Sequence, residues 1–519
     1  MNRLFKVSPE SFSRLFITLA IVAIGISSGT AQTPKVFAHY MAWYKDAPDW
    51  RHWKWCGHNP DNISNGKRDI ASVDYPLIGP YNSADTVLIQ SHLLSMIAAG
   101  FDGMIIDWYG RGSYEDSVTG LCLRQVHNWK IKYCCDFKIA LMVDGEPYRY
   151  LRDANRINKI TDDIKYAISQ YYTDTANVFL YNKKPVILFF PKDSTGTPND
   201  PYAIPPADWQ TIIDSLPGSP YIVYHDNLDP LNAKPLPKYD YRKVFNGNYV
   251  WFESTYAPGT LSWPFGDLNW YYNTLSNLKG MTEYSNSFKV TFGIAFPGFN
   301  DSGVGANWSC SSTYGYIPRN INGDEILDLT WGLFLQRDSV LFQKSMNVQV
   351  ATFNDWNEGS EIEPTKQDSC KYLQLCKKNI LRFKGKNDAD SLAIYFGPEY
   401  YKACKNGVSA DTIAKALDQF FNRNCPTAAG NIKTENETTV SMHIIYSQNR
   451  ANDIVKVRIP GYSGDGITAV YTITGRKVIS MKFHGEMSVL GLGGLANGTY
   501  YISVTTSHER FNKFIQIIR

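Results

Sequence analysis

The sequence predicts a (β/α)8 TIM barrel followed by a small all-β antiparallel sandwich, and three observations predict it. Eight apolar runs of strand length recur between residues 36 and 365. Polar stretches with helical spacing lie between most of them, and beyond residue 439 the pattern changes to short alternating strands. Continuous apolar strands alternating with helices imply a parallel sheet covered on both faces. Eight such units fit a barrel of about 250 residues enlarged by loop insertions.

The elements follow in order. Arg3, Lys6 and Arg14 precede an apolar run, Leu15–Ile26, and Gly29 and Ala31 supply small residues for cleavage before Gln32. Residues 1–31 therefore read as a secretory signal peptide. The run is too short to cross a bilayer, which takes about 20 residues. The first barrel strand, "VFAHYMAWY", ends at Tyr44. A doubly wound open sheet would want a glycine-rich phosphate turn next, and "HYMAWYKDAP" has none. Residues 84–99 have helical spacing, with Ser83 placed as N-cap and Gly100 as stop. Then come "FDGMIIDWYG", "KIALMVDGE", "KPVILFFP", "YIVYHDN", "NYVWFESTY", "KVTFGIAFPGFND" and "NVQVATFNDWNEG", with helical stretches at 151–172 and 325–344. Residues 366–425 read as helices of the outer layer, so the catalytic domain is expected over 32–425. A polar linker, "PTAAGNIKTENETT" (426–439), leads to a sandwich over 440–519 built from "DIVKVRI", "AVYTITGRKVIS", "TYYISVTT" and "RFNKFIQIIR".

Composition narrows the partners. Aromatics make up 14% of the 519 residues, which suits stacking on sugar rings as well as a large core. Residues 1–31 carry three basic residues and one acid (Glu10), so the formal charge of +3 becomes +1 without them. That is no electrostatic case for nucleic acid or an anionic membrane, and no further stretch reads as a membrane span. Nine cysteines leave at least one thiol unpaired. Cys370 with Cys376, or Cys404 with Cys425, are local pairing candidates, and spacing alone leaves the connectivity open. Nothing in the Cys or His spacing suggests a metal site.

A barrel carries its chemistry at the C-terminal ends of its strands. Those ends hold His39, Tyr40, Trp43 and Tyr44; Asp107, Trp108 and Tyr109; Asp144 and Glu146; His225 and Asp226; Glu253 and Tyr256; Asn300 and Asp301; and Asn354, Asp355 and Glu358. Trp50, Trp53 and Trp55 are either sugar platforms or loop packing. The densest stretch is "ATFNDWNEGSEIEPT" (351–365), with Asp355, Glu358, Glu361 and Glu363. Glycoside hydrolysis needs one acid to protonate the departing oxygen and a second carboxylate to activate the attacker. Asp355 and Glu358 share a face only if the chain leaves β geometry there, and Asn357 and Gly359 favour such a turn. A solvated acidic loop and a calcium-type site remain the alternatives.

Several stretches resemble glycoside hydrolase family 99: "HYMAWY" (39–44), "DYPLIGPYNSAD" (74–85), "IIDWYG" (105–110), "FPGFNDSG" (296–303) and "FNDWNEGSEIEP" (353–364). The resemblance covers residues 36–365. It departs from the family pattern at Asp355 (Glu in the family), Asn357 (His), Ala42 (Pro) and Asp107 (Ser). The Asp-x-x-Glu pair and "KVFAHYM" also resemble glycoside hydrolase family 71, the α-1,3-glucanases. Both resemblances imply Glu358 as acid/base, Asp355 as second carboxylate and no cofactor. Family 71 implies water activation and inversion, towards which the shorter Asp leans. Family 99 implies proton removal from the sugar 2-hydroxyl and retention. In the tail, "YTITGRKV" and "LGGLANGTYYISV" resemble the sorting domain of type IX secretion substrates, which implies that machinery as a partner and a secreted or cell-surface location.

The leading expectation is an exported endo-acting hydrolase of an α-linked polysaccharide, with α-1,3-glucan favoured. The alternatives are a family 99-like endo-α-mannosidase and a non-catalytic glycan-binding surface protein. Beside the pair, the expected substrate contacts are Tyr40, Trp43, Tyr44, Asp107, Trp108, Asp144, Glu146, Glu253, Tyr256, Asn354 and Trp356.

Overall fold

The computed structural model describes residues 33–151, 153–191, 204–225, 244–251, 289–335, 346–386, 393–424, 443–447, 454–459, 462–472, 477–496, 498–506 and 510–517. The signal-like segment, the linker, Asp226, Glu253 and Tyr256 lie outside the described residues.

All eight expected strands form. They are β1 (Val36–Met41), β2 (Gly103–Trp108), β3 (Lys138–Asp144), β4 (Lys184–Phe190), β5 (Tyr221–His225), β6 (Gly247–Tyr249), β7 (Val290–Ala295) and β8 (Met346–Val350). Each pairs in parallel with the next. The ring closes where β8 pairs with β1, with Ala38 opposite Val350. The fold is therefore a closed (β/α)8 barrel.

Side chains alternate along each strand. Phe37, Ile105, Ala140, Met142, Leu188, Val223, Tyr249 and Phe292 fill the barrel interior. Their sequence neighbours Ala38, Tyr40, Met104, Ile106 and Trp108 face the helix layer. This parity corrects two expected sugar contacts. Tyr40 is buried and its hydroxyl meets His92 Nδ1 at 3.1 Å. Trp108 is buried parallel to Tyr166 and donates Nε1–H to Asp116 Oδ1 at 3.0 Å. Neither reaches the mouth.

The outer layer holds α1 (Thr86–Ala99), α2 (Tyr114–Tyr133), α3 (Asp153–Gln170), α4 (Pro206–Ser215), α5 (Ile326–Leu335), α6 (Lys371–Phe383), α7 (Phe396–Lys405) and α8 (Ala410–Asn424). The N-cap of α1 is Asp85, whose Oδ1 accepts from Val87 N at 2.9 Å. The expected cap, Ser83, instead clamps the end of the first strand: it accepts from Tyr44 N at 3.1 Å and donates its own N–H to Tyr44 O at 2.8 Å. Gly100 stops α1 at φ 89°, as the sequence predicts. The last three helices complete the layer, where Phe421 stacks on Tyr133 at 4.1 Å and Phe420 on Phe396 at 4.7 Å.

Among the described residues one disulfide, Cys56–Cys310, joins loops 254 residues apart. Cys370 and Cys376 are free thiols, and Cys425, the candidate partner of Cys404, lies outside the described residues. Cys370 caps α6 and Cys376 lies within it. Six residues advance a helix by about 9 Å, beyond the reach of a disulfide. Among the described residues no helix is long and apolar enough to cross a membrane.

The C-terminal region forms two antiparallel sheets. Strands His443–Ser447, Ile454–Arg458 and Met487–Gly491 make one; Lys477–His484, Asp465–Thr472, Gly498–Thr505 and Arg510–Ile517 make the other. Val455, Val457 and Leu490 of the first share a core with Val470, Ile502 and Val504 of the second. That is the expected sandwich.

Candidate active site

Beyond β8 the chain leaves β geometry at the barrel mouth. Phe353 N donates to His39 O at 2.6 Å, which keeps the segment against β1. Then it turns: Asp355 N donates to Thr352 Oγ1 at 2.7 Å, Glu358 N to Asp355 Oδ1 at 3.0 Å, and Ser360 N to Asp355 O at 3.3 Å. Gly359 lies at φ 57°, and a Cβ there would meet Asn300 O at 2.7 Å. Only glycine suits both conditions.

The turn separates the four carboxylates into two kinds. Glu361 is fully buried against Arg319, which pairs with Oε1, donates to Glu361 O at 2.9 Å and lies 3.4 Å from Asp74. Burial pushes the Glu361 carboxyl well above its usual range, and Arg319 opposes this. Glu363 is held inside by the Tyr81 hydroxyl (2.7 Å), Trp356 Nε1 (3.0 Å) and His92 Nε2 (3.1 Å). These two carboxylates hold the turn together.

Asp355 and Glu358 lie on the other side. Burial, and then the charge of Asp355, push the Tyr44 hydroxyl far above its usual pKa. Glu358 is partly exposed and its Oε1 accepts from Trp308 Nε1 at 3.0 Å. The helix-like turn required for a working pair is therefore present.

Three more expected contacts are braces. Asn354 is fully buried and bonds both the N–H and the C=O of Met41, at 2.8 and 2.9 Å. Trp356 is fully buried, with its N–H on the Tyr44 hydroxyl at 3.0 Å. Tyr44, fully buried against Trp53 at 4.1 Å, donates onward to Asn357 Oδ1 at 3.2 Å. With no surface towards the mouth, all three position the turn and do not touch a ligand. Aromatic residues at strand ends are as useful for joining loops as for stacking on sugars.

The mouth itself is lined by other groups. Trp43 stacks on His52 at 4.3 Å and meets Trp308 and Tyr109 edge-on. Its Nε1 is buried and lies close enough to the Tyr44 hydroxyl to counter part of that group's upward pKa push. Asp107 and Asp144 are buried, and after burial itself their charges push up both the Tyr109 and Tyr249 hydroxyls. Both acids therefore act on the same pair of tyrosines. Asp144 Oδ1 accepts from Glu146 N at 2.6 Å, and Glu146 is partly exposed beside Arg149. Trp50 and Trp53 are packing residues; Trp55 is exposed.

Deeper in the lumen, His39 meets Gln349 at 2.5 Å. Burial, only partly opposed by that bond, lowers its pKa to about 4. Burial lowers His225 to about 3. Among the described residues no cluster of three or more His, Cys, Asp or Glu side chains is arranged to hold a metal.

The sequence reading missed His52, which stacks in the mouth, and Trp308, which bonds Glu358. The missing signal was the long-range Cys56–Cys310 pair, which brings Trp55 beside Trp308.

The model of glycosyl hydrolase family 99 matches residues 29–382. The chain is 25% identical over 347 residues to the glycoprotein endo-alpha-1,2-mannosidase-like protein of Danio rerio, covering 64% of this chain and 68% of that one. It is 25% identical over 357 residues to the glycoprotein endo-alpha-1,2-mannosidase of Rattus norvegicus, covering 63% and 67%. Among solved structures, the GH99 endo-alpha-mannosidase of Bacteroides thetaiotaomicron is 18% identical with a TM-score of 0.49, covering 68% of this chain and 99% of that one. The family model and the curated relatives support the mannosidase alternative, and the α-1,3-glucan expectation is not supported. The chain belongs to glycosyl hydrolase family 99.

Proposed function

We propose that this glycoside hydrolase is an exported endo-α-mannosidase in which Glu358 and Asp355 carry the chemistry. The observation that carries the reading is the division of labour in the turn. Glu361 is paired with Arg319 and Glu363 is held by Tyr81, Trp356 and His92, while Asp355 Oδ1 accepts the N–H of Glu358 and Glu358 Oε1 meets Trp308. The names of the vertebrate relatives support an α-1,2-linked mannoside as substrate.

In this mechanism Asp355 removes the proton of the sugar 2-hydroxyl and O2 attacks C1. The glycosidic C1–O bond breaks as Glu358 gives its proton to the departing oxygen. Water then opens the resulting 1,2-anhydro sugar at C1, giving its proton to Glu358 while Asp355 returns a proton to O2. Two displacements at C1 give net retention. In this reading Trp43, Asp107, Asp144 and Glu146 bind the sugar. The C-terminal sandwich serves export through a type IX machinery and takes no part in catalysis.

The test is incubation with yeast α-mannan and with α-1,3-glucan in parallel, following the first-formed anomer by NMR. An α-anomer released from mannan supports the reading. A β-anomer from either substrate, or hydrolysis of glucan alone, overturns it.

A further inference from the structure

Trp308 sits in a short 3-10 turn, Ala306–Trp308, on the loop after β7. Its indole is enclosed by rings from the loop after β1: Trp43 at 5.8 Å, His52 at 5.3 Å and Trp55 at 5.7 Å, all edge-on. Both Trp308 (φ 57°) and Cys310 (φ 58°) occupy the left-handed region, which non-glycine residues rarely adopt. Surroundings must therefore hold this loop. Cys310 is bonded to Cys56 next to Trp55, and Trp55 Nε1 donates to Trp308 O at 3.4 Å.

We propose that Trp308 is a positioning residue for Glu358, and that the Cys56–Cys310 disulfide holds it in place, so full activity requires the oxidised pair. The proposal rests on the reading of Glu358 as acid/base. An indole N–H can only donate. In a protonated carboxyl the carbonyl oxygen is the stronger acceptor, so the bond to Oε1 favours the acid with its proton on Oε2. The indole bond thereby orients the carboxyl with its proton on one oxygen, which a proton transfer to a leaving group needs.

The experiment compares kcat/KM of the full chain on two α-mannosides, one with a sugar leaving group and one with dinitrophenolate, which departs without an acid. Trp308→Phe keeps the ring and removes the donor. The expected loss is about tenfold or more on the sugar leaving group, and at least several times greater than the loss on the aryl glycoside. The paired change Cys56→Ser with Cys310→Ser shows the same selectivity and adds little to Trp308→Phe. Equal losses on both substrates, no loss on either, or full additivity overturns the proposal.

A second readout needs no turnover. In protein labelled with 15N in its indoles, the Trp308 Nε1–H resonance, assigned by its absence in Trp308→Phe, shifts on Glu358→Gln and on reduction. A resonance that stays put overturns the contact. Wild-type protein that cleaves neither substrate overturns the mannosidase reading, and this proposal with it.

Discussion

Replacing Arg319 with Met tests whether the buried carboxylates of the turn are held as the structure shows. The guanidinium pairs with Glu361 and donates to the carbonyl oxygens of Gly359 (3.3 Å) and Glu361 (2.9 Å). Glu361 is fully buried, so the variant leaves a carboxylate with burial and the Asp74 charge acting against it. Removing one partner of such a pair costs about 3–5 kcal/mol. The carboxylate escapes by taking up a proton. Between the unfolded carboxyl range, near pH 4.3, and the raised folded value, the folded variant then binds more protons than the unfolded chain. Its stability therefore falls as pH rises through that window, by up to about 1.4 kcal/mol per unit. The assay is denaturant unfolding at several pH values, followed by tryptophan fluorescence. All 13 tryptophans precede residue 357, so this signal reports the barrel and not the sandwich. Adding Glu361→Gln to the variant recovers part of the loss at neutral pH. A deficit that is flat with pH, or that grows towards acid, refutes the reasoning.

Other outcomes follow from the same contacts. Glu358→Gln lowers kcat/KM on α-mannan by about 10³ without moving the unfolding midpoint. Glu363→Gln, which disturbs the bonds to Tyr81, Trp356 and His92, costs about 1–3 kcal/mol of stability. Trp108→Phe costs about 1 kcal/mol through the lost bond to Asp116 and leaves KM unchanged, whereas Trp43→Ala raises KM. His39 and His225 are held neutral by burial, with pKa values of about 4 and about 3. Their stabilising effect is complete above the unfolded value near 6.5 and is lost as pH falls towards those folded values. His225→Asn therefore flattens the acid limb of the unfolding profile.

The eight strands were legible because a parallel barrel strand is covered on both faces and reads as an unbroken apolar run. That same property hid the parity within each run. Nothing in "HYM" or "IIDWYG" separates inward His39 and Asp107 from outward Tyr40 and Trp108, and parity decides which side chains reach a ligand. In the sandwich, "AVYTITGRKVIS" is two strands with a turn signal, Thr474-Gly475-Arg476, between them. In the site, the position of the acidic turn was legible from local spacing. Its internal sorting was not, because Arg319, His92 and Tyr81 come from distant segments. The disulfide was missed for the same reason: its halves are 254 residues apart.

The Asp at position 355 is the sharpest departure from the family pattern, and its local bonds bear on what it does. Asp355 Oδ1 accepts the N–H of Glu358 at 3.0 Å while its own N–H is held by Thr352 at 2.7 Å. A side chain that accepts from the backbone three residues on acts as a cap, a role Asp fills readily because its carboxyl lies close to its own backbone. Glu carries an extra methylene and fits that bond poorly. The residue that opens the proposed catalytic pair thus also fastens the turn that presents its partner. This removes the premise that a shorter acid simply leaves room for a water and hence inversion: the carboxyl is tied to the turn and cannot draw back from the sugar. Retention through the 2-hydroxyl then asks the sugar to lie closer to the turn by about one C–C bond, roughly 1.5 Å. In the proposed mechanism the rings at the mouth, Trp43, His52 and Trp308, would set that depth, so the outcome would turn on that aromatic wall as well as on the length of Asp355.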